Sequence, residues 1–368
     1  MKFSNYIFAL YLIVYPFYFF ERGDPQIADL FGVLLIALNI KSILLNIKAN
    51  YFTKALFFFV IYTLILNTIW MLILGDILIL KSSLFYLYSF FILLIFYSKI
   101  KDHSFLTIII KAIAICFIIQ LILWPLMGGQ GTRVHMFFKN PNQLALWAFC
   151  MLLISHMICS LLKPKRFYVF TTLILATLFV FISASKSAIF ASVLFWIYYL
   201  IKSRKQLFIL ITLVVIGFSF LIVLEKIDIN NITTINNVID RVTEKKTAGQ
   251  LKLEGRGYDR ILNYPQYLLF GAGEGQYRRF GERIELHSTF FSILFSYGII
   301  GFSIFLFAIG SILKKASRQV ILLLFVLVLY TLAHMTLRSP LFWLSLVLMY
   351  QLKDHNLLAT NTNTSHES

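Results

Sequence analysis

The feature that most constrains this chain is a succession of apolar runs that extends over nearly its whole length. A helix needs about 20 mainly apolar residues to cross the roughly 30 Å of hydrocarbon in a bilayer. Such runs, some of them short, lie near 6–20, 27–46, 55–74, 77–98, 105–125, 143–162, 167–183, 188–201, 207–224, 288–312, 319–337 and 340–352. The sequence therefore predicts an all-α polytopic integral membrane protein with about 12 transmembrane helices.

The composition excludes a soluble globular domain. Hydrophobic residues make up 60% of the 368 residues and charged residues only 13%, whereas soluble domains contain about 45–50% apolar and about 25% charged residues. The net charge of +17 is scattered between apolar runs, which is typical of membrane orientation and of contact with anionic headgroups. We therefore expect membrane lipids as partners and no nucleic acid.

Lysine and arginine are distributed unequally between alternate connections. Because basic residues concentrate in cytoplasmic connections, we expect both termini on the cytoplasmic side. The basic connections contain Lys48, Lys54, Lys99, Lys101, Lys163, Lys165, Arg166, Lys202, Arg204, Lys205, Lys314, Lys315 and Arg318. The opposite short connections contain only Arg22, Arg133, Lys139, Lys186 and Arg338.

One connection is much longer than the others. Residues 225–287 predict a large extracytoplasmic loop between the ninth and tenth spans, within a single helical domain at 1–352. Apolar residues at helical spacing between 232 and 242 indicate a helix on the membrane surface. The polar tail at 353–368 is expected to be disordered in the cytoplasm.

Five cations lie near the extracytoplasmic ends of spans, against the usual charge bias. Four separate connections supply them, so a helix bundle could bring them together at one end. They are Arg133, Lys186, Arg256, Arg260 and Arg338. Because a planar guanidinium binds phosphate oxygens through two N–H groups, the cluster indicates a phosphate or pyrophosphate site. Headgroup anchoring or ion pairs with nearby acids are the alternatives for any one of them.

The segment EGRGYDRILNYPQYLLFGAGEG is the most informative part of the long loop. Arg256 and Arg260 are four residues apart and would share a face of a short helix that begins near 255 and stops before Pro265. The glycines of FGAGEG predict a flexible turn where the backbone approaches a ligand closely. No strand precedes these glycines, so a dinucleotide site is not indicated.

His287 ends the loop, and Ser288 or Thr289 after it can cap the next span. An imidazole at the membrane surface accepts a proton near neutral pH, as a general base must. A headgroup-level histidine without chemistry is the alternative, and His135 is a competing candidate. His156 and His334 are interpreted as buried within spans.

Two further stretches mark turns at the same side. In FKNPNQLA, Asn140 is a suitable N-cap and Pro141 suits the first helical position. ISASKSAIF predicts a tight reversal that holds Lys186 among small residues. The outer loops contain no acidic pair with DxD spacing, and the sequence indicates neither a metal nor a cofactor.

Taken together, these residues resemble the bacterial O-antigen polymerase and ligase superfamily of membrane glycosyltransferases. The local matches are FKNPNQLA after Arg133, SASKS, GRGYDRI followed by FGAGEG, and LHSTFFSILFSYGIIG. The last two together are more similar to the polymerases (Wzy) than to the ligases. Lys186 departs from the pattern, since members often carry arginine there.

The resemblance implies metal-independent glycan transfer from undecaprenyl pyrophosphate to a sugar hydroxyl at the periplasmic face of the bacterial inner membrane. The implied partners are an undecaprenyl-pyrophosphate-linked oligosaccharide and a chain-length regulator protein. A ligase that transfers the glycan to lipid A–core is one alternative, and a flippase or transporter of lipid-linked oligosaccharides is another. The expected site comprises His287 as the base and, for the pyrophosphate, Arg256 and Arg260 with Arg133, Arg338 and Lys186 as helpers.

Overall fold

The structure is a computed structural model that describes residues 2–21, 23–127, 133–162, 164–201, 256–281 and 285–364. Every regular element among these residues is a helix. The predictions of a span at 207–224 and of a surface helix at 232–242 lie outside the described residues, as does most of the predicted loop 225–287.

Each predicted run within the described residues contains at least one helix. An apolar run saturates its own backbone hydrogen bonds when it becomes helical, which is why run length predicts helix position well. The helices are α1 (Lys2–Val14), α2 (Ile27–Leu38), α3 (Ile40–Asn46), α4 (Tyr51–Leu74), α5 (Leu80–Lys99), α6 (His103–Leu123), α7 (Pro141–Leu162), α8 (Arg166–Ile182), α9 (Lys186–Ile201), α10 (Asp259–Asn263), α11 (Thr289–Leu313), α12 (Arg318–Ala333) and α13 (Pro340–Thr364).

Five helices among the described residues are long and apolar enough to cross a membrane, or six if one bent pair counts as a single span. They are Tyr51–Leu74, Ile77–Lys99, His103–Leu126, Pro141–Leu162 and Thr289–Leu313. The apolar helices Phe3–Val14, Arg166–Ile182, Lys186–Leu200 and Arg318–Ala333 are shorter. A helical membrane protein is thus indicated, while the count of about 12 spans stays a prediction.

Two elements differ from the sequence expectation. The run at 27–46 is divided into α2 and α3, which meet at 75°. At the break, Asn39 donates its side-chain Nδ2 to the carbonyl oxygen of Leu35 at 2.7 Å and to Ser4 Oγ at 2.8 Å, which favours the end of a helix there. α13 extends to Thr364, into the tail predicted to be disordered, because no proline or glycine interrupts it.

Contacts between the ends of separate helices define two ends of the bundle. At one end, Lys99 Nζ donates to Asn5 Oδ1 at 2.8 Å, and the rings of Phe52 and Tyr350 stack at 5.0 Å. Lys99 and Lys54, from two of the described basic connections, are at this end, and we call it the basic end. The opposite end, where α7, α9, α11 and α13 begin, is the cavity end.

α11 is broken at Gly298, where φ is 64° and ψ is −175°. The Ile299 N–H therefore donates to the Leu268 carbonyl at 2.7 Å instead of continuing the helix, and the Phe295 carbonyl accepts from Ala272 N at 2.9 Å. A broken span is tolerated in a membrane when neighbouring chain satisfies the freed backbone groups. Here the segment 268–273 does so, and this fastens the predicted glycine turn to the bundle.

The glycines of that turn are needed for contact with protein. A Cβ on Gly271 would lie 2.4 Å from the Ser296 carbonyl oxygen, and one on Gly273 would lie 2.6 Å from Trp70 Cδ1. Both glycines have positive φ, at 106° and 70°, which other residues rarely adopt. The sequence predicted a close approach to a ligand, but the close approach in the structure is to Ser296 and Trp70.

Candidate functional site

A cavity of about 680 Å³ lies at the cavity end of the bundle. Its volume falls in the range of about 300–1,000 Å³ that is usual for small-molecule sites. The lining residues come from the α1–α2 connection and the start of α2, from α5, from the start of α7 and the residues before it, from Tyr277 of the long loop, from the segment before α11, and from the end of α12 and the α12–α13 connection. Chain segments that are far apart in sequence therefore contribute to one site.

His287 lies at this cavity and is exposed. Ser288 caps α11, since its Oγ accepts from Phe291 N at 3.5 Å, so the predicted helix start is confirmed. The His287 N–H also donates to the Arg256 carbonyl at 3.5 Å. The two residues that were expected to supply the base and a pyrophosphate ligand are thus neighbours.

His334 was interpreted as buried within a span, and that interpretation is wrong. It follows the last residue of α12 and lines the cavity. Its Nε2 lies 2.6 Å from Ser187 Oγ and 3.5 Å from Ser185 Oγ. The apolar run at 319–337 continues past the end of α12 at Ala333. Hydropathy alone therefore did not show that the helix ends before His334.

The charges around His334 are mainly positive. Burial, followed by the charges of Arg256, His287 and Arg133, lowers the pKa of His334 to about 4. Its imidazole is therefore neutral at pH 7. Arg256 and His287 from the long loop, and Arg133 from the connection before α7, are close enough to act on this one ring.

Arg133 fastens the chain before α7 to the SASKS reversal. Its Nε donates to the Ser183 carbonyl at 3.0 Å, and its Nη2 donates to Asn142 Oδ1 at 2.9 Å. Asn142 lines the cavity. The predicted cap is confirmed, since Asn140 Oδ1 accepts from Gln143 N at 2.9 Å.

Lys186 and His135 lie near the SASKS reversal. Lys186 is the first residue of α9 and immediately precedes Ser187. The competing candidate His135 has its Nδ1 3.1 Å from the Met136 carbonyl oxygen.

Arg260 is fully buried, which differs from the expectation of a ligand-facing arginine. Its guanidinium lies over the ring of Tyr277 at 5.1 Å from the centroid, and Tyr277 lines the cavity. Burial, and then the negative charges of Glu274 and Glu285, raise the pKa of Tyr277. Arg260 thus contacts the ring of a cavity residue, and α10 is shorter than the predicted helix around it.

Arg338 lines the cavity and pairs with two carboxylates. Its Nη2 is 2.5 Å from Glu274 Oε1 and 2.7 Å from Glu285 Oε1. Burial alone would lower the pKa of this guanidinium, but the two glutamates raise it well above its usual range. An anionic ligand at Arg338 would therefore compete with these carboxylates.

Glu274 was not predicted as a site residue, yet it is fully buried at the centre of this arrangement. The hydroxyls of Tyr86 and Tyr297 donate to its Oε2, and its N–H donates to Asn67 Oδ1 at 3.0 Å. A buried carboxylate requires such partners. The only sequence feature that could have indicated Glu274 is its position as a single acid within the glycine turn FGAGEG.

Among the residues that the structure describes, no group of three or more His, Cys, Asp and Glu side chains is arranged to hold a metal ion. Arg279, a further cation of the loop, supports the backbone. It donates to the carbonyls of Ala272 and Gly273 and stacks on Trp70 at 4.7 Å.

The arrangement can hold an anion beside a group rich in hydroxyls. The charges of Arg256 and Arg133 act on the neutral His334, and His287 is exposed at the cavity. Tyrosine rings, Asn and Gln amides and the carboxylates of Asp24, Asp29 and Glu285 also line it. No model of a known protein family matches the chain, and no curated protein matches it either. The function is therefore inferred from the resemblance of the motifs and from the cavity.

Proposed function

We propose that this protein polymerises undecaprenyl-pyrophosphate-linked oligosaccharide repeat units into O-antigen or capsular polysaccharide at the periplasmic face of the inner membrane. The observation that carries the proposal is the convergence at one cavity. His287, His334 and Arg338 line it, and the charges of Arg256 and Arg133 act on His334 within it.

A pyrophosphate leaving group needs cations where its negative charge develops. Arg256 and Arg133 are assigned to this task, and Lys186 assists from the start of α9 beside the Ser187–His334 contact. Arg338 is a less direct contributor, because Glu274 and Glu285 already balance its charge. Arg260 acts through the Tyr277 ring that it contacts.

In the proposed reaction, a hydroxyl oxygen of the acceptor sugar attacks the anomeric carbon of the donor. The bond between that carbon and the pyrophosphate oxygen breaks, and undecaprenyl pyrophosphate leaves with the electron pair. His287 accepts the hydroxyl proton, since its side chain is exposed at the cavity. Transfer of the growing chain to the next carrier-linked repeat unit extends the polymer.

An O-antigen ligase is the second candidate, because the same donor chemistry would serve transfer to lipid A–core. The motifs GRGYDRI, FGAGEG and LHST favour the polymerase by resemblance. A flippase or transporter would use charged groups along a path through the spans. The cavity residues instead belong to one end of the bundle, which favours an interfacial enzyme.

Deletion of the gene in its host, with a complemented control, tests the function. The surface glycolipid is resolved on a gel. Lipid A–core with a single repeat unit and no ladder is the result expected for a polymerase. Bare core with long polymer still on the carrier would indicate a ligase, whereas bare core with single repeats facing the cytoplasm would indicate a flippase. An unchanged ladder would refute the proposal.

Point variants test the site within that strain. We expect His287→Ala and Arg256→Ala each to abolish the ladder while the amount of protein in the membrane stays normal. Matched controls are His103→Ala and Arg278→Ala, because both residues are exposed and neither lines the cavity. A wild-type ladder in His287→Ala and Arg256→Ala would refute the site assignment.

A further inference from the structure

The cavity has two sides of different chemistry. We call Tyr277, Glu285, His287, His334 and Arg338 the C-terminal wall. The N-terminal wall consists of Tyr15, Tyr18, Asp24, Asp29, Phe85 and Tyr88. The first contains the basic lining residues together with Glu285, whereas the charged lining residues of the second are both carboxylates.

The N-terminal wall disfavours an anion. Asp24 is partly balanced by Lys81, whose Nζ is 3.1 Å from Asp24 Oδ1, and both side chains are about half exposed. Asp29 lies in the first turn of α2, where its Oδ2 accepts the Gln26 N–H at 2.7 Å. A phosphate would be repelled by these carboxylates. A ligand with a charged end would thus present its uncharged part to the N-terminal wall.

The same wall has the groups that recognise sugar rings. Tyrosine and phenylalanine rings offer flat apolar faces, against which the C–H face of a pyranose packs, and tyrosine adds a polar hydroxyl. Ionised carboxylates accept hydrogen bonds from hydroxyls, and such charge-assisted bonds are about twice as strong as neutral ones. Tyr15 is held in place at the wall by its hydroxyl, 3.1 Å from Ser339 Oγ.

We propose that the N-terminal wall is the subsite for the acceptor, an uncharged hydroxyl-bearing sugar that stacks on its aromatic rings and donates to Asp29. The identity of this ligand rests on the proposed function. In this proposal, the C-terminal wall binds the pyrophosphate of the donor. The N-terminal wall orients the acceptor sugar, whose hydroxyl attacks the donor. The two substrates thereby meet across one cavity without competing for the same charged groups.

Equilibrium binding tests this without catalysis. The full chain is purified in detergent and titrated with the host's repeat-unit oligosaccharide, released from its carrier and free of phosphate. Saturation-transfer NMR reports contact between protein aromatic protons and sugar C–H protons. We expect binding to wild type and affinity about tenfold weaker in Asp29→Asn, because a hydrogen bond to a charged group is lost. The asparagine keeps an oxygen for the Gln26 N–H.

The matched control is Glu21→Gln, an exposed acid of the same connection that does not line the cavity. It should bind like wild type. Phe85→Leu, which removes an aromatic ring and no charge, should also weaken sugar binding. If Asp29→Asn does not fold, Phe85→Leu alone tests the acceptor subsite. No saturation transfer with wild type, or wild-type affinity in folded Asp29→Asn or in Phe85→Leu, would overturn the acceptor subsite.

The two proposals can fail separately. An unchanged surface ladder after gene deletion, together with sugar binding that depends on Asp29, would refute the polymerase and leave a sugar site. Loss of the ladder, together with binding that is insensitive to Asp29 and Phe85, would refute only the acceptor subsite.

Discussion

Glu274 and Glu285 contact the same Nη2 atom of Arg338 but differ in exposure, at 0% and 21% of their side chains. Removing one member of a buried ion pair costs about 3–5 kcal/mol, because the remaining polar groups lose their partner. A more exposed pair contributes only about 0–1 kcal/mol. We therefore expect Glu274→Ala to lower the free energy of unfolding much more than Glu285→Ala. Unfolding of both variants in detergent measures the difference, and equal losses would contradict this.

His334 gives the protein a pH dependence of defined sign. The folded-state pKa is lowered from 6.5 to about 4, so the unfolded chain binds a proton between these values and the folded chain does not. The free energy of unfolding should therefore fall as the pH drops from about 6.5 towards 4. In His334→Gln this decline should be shallower, while His103→Gln should keep it. Thermal unfolding over that pH range measures both, and parallel wild-type and His334→Gln curves would contradict the assignment.

At the scale of elements, the break in α11 joins the glycine turn to the bundle. In Gly298→Ala, the new Cβ would lie 2.4 Å from the Leu269 carbonyl oxygen at a φ of 64°. Gly310 belongs to the same helix, and a Cβ there meets nothing within 4 Å. We expect Gly298→Ala to lower the thermal midpoint and to abolish the proposed polymer. Gly310→Ala should leave the midpoint unchanged or raise it slightly, since alanine favours a helix by up to about 1 kcal/mol.

The comparison of these two glycines is decisive because both substitutions add one methyl group. If Gly310→Ala destabilised the protein as much as Gly298→Ala, the backbone break would not be the cause. A fully stable Gly298→Ala protein would mean that α11 can continue as a regular helix without the contact to the segment 268–273.

For the whole molecule, the basic end and the cavity end predict orientation. The described basic connections lie at the basic end, so the positive-inside bias predicts that the cavity end faces away from the cytoplasm. In intact cells with a permeable outer membrane, a membrane-impermeant maleimide should label Gln276→Cys, which is exposed beside the cavity. Lys101→Cys at the basic end should be labelled only after lysis. The reverse pattern would invert the topology.

The native cysteines offer a suitable background for that experiment. Cys116 and Cys150 are buried, and Cys159 is partly buried within α7. Because thiols in such positions react slowly, the labelling of wild type should be low in both conditions.

The sequence by itself determined what depends on local chemistry. Apolar runs of sufficient length became helices, and Asn140 and Ser288 cap α7 and α11 as predicted, because a helix and its cap involve residues only a few positions apart. The sequence also predicted that Arg133 and Arg256 lie at one end of the bundle, since antiparallel helices bring alternate connections to the same end. The span at 207–224 and the loop before residue 256 remain predictions of the sequence.

Only the tertiary structure decided which charges are compensated and which side chains reach the cavity. Arg338 meets Glu274 across 64 positions, and His334 meets Ser187 across 147. Arg260 is buried against Tyr277, although its spacing from Arg256 indicated a shared ligand-facing surface. Such pairings depend on how helices and loops pack over long sequence separations. Neither hydropathy nor residue spacing contains that information, because both describe one segment at a time.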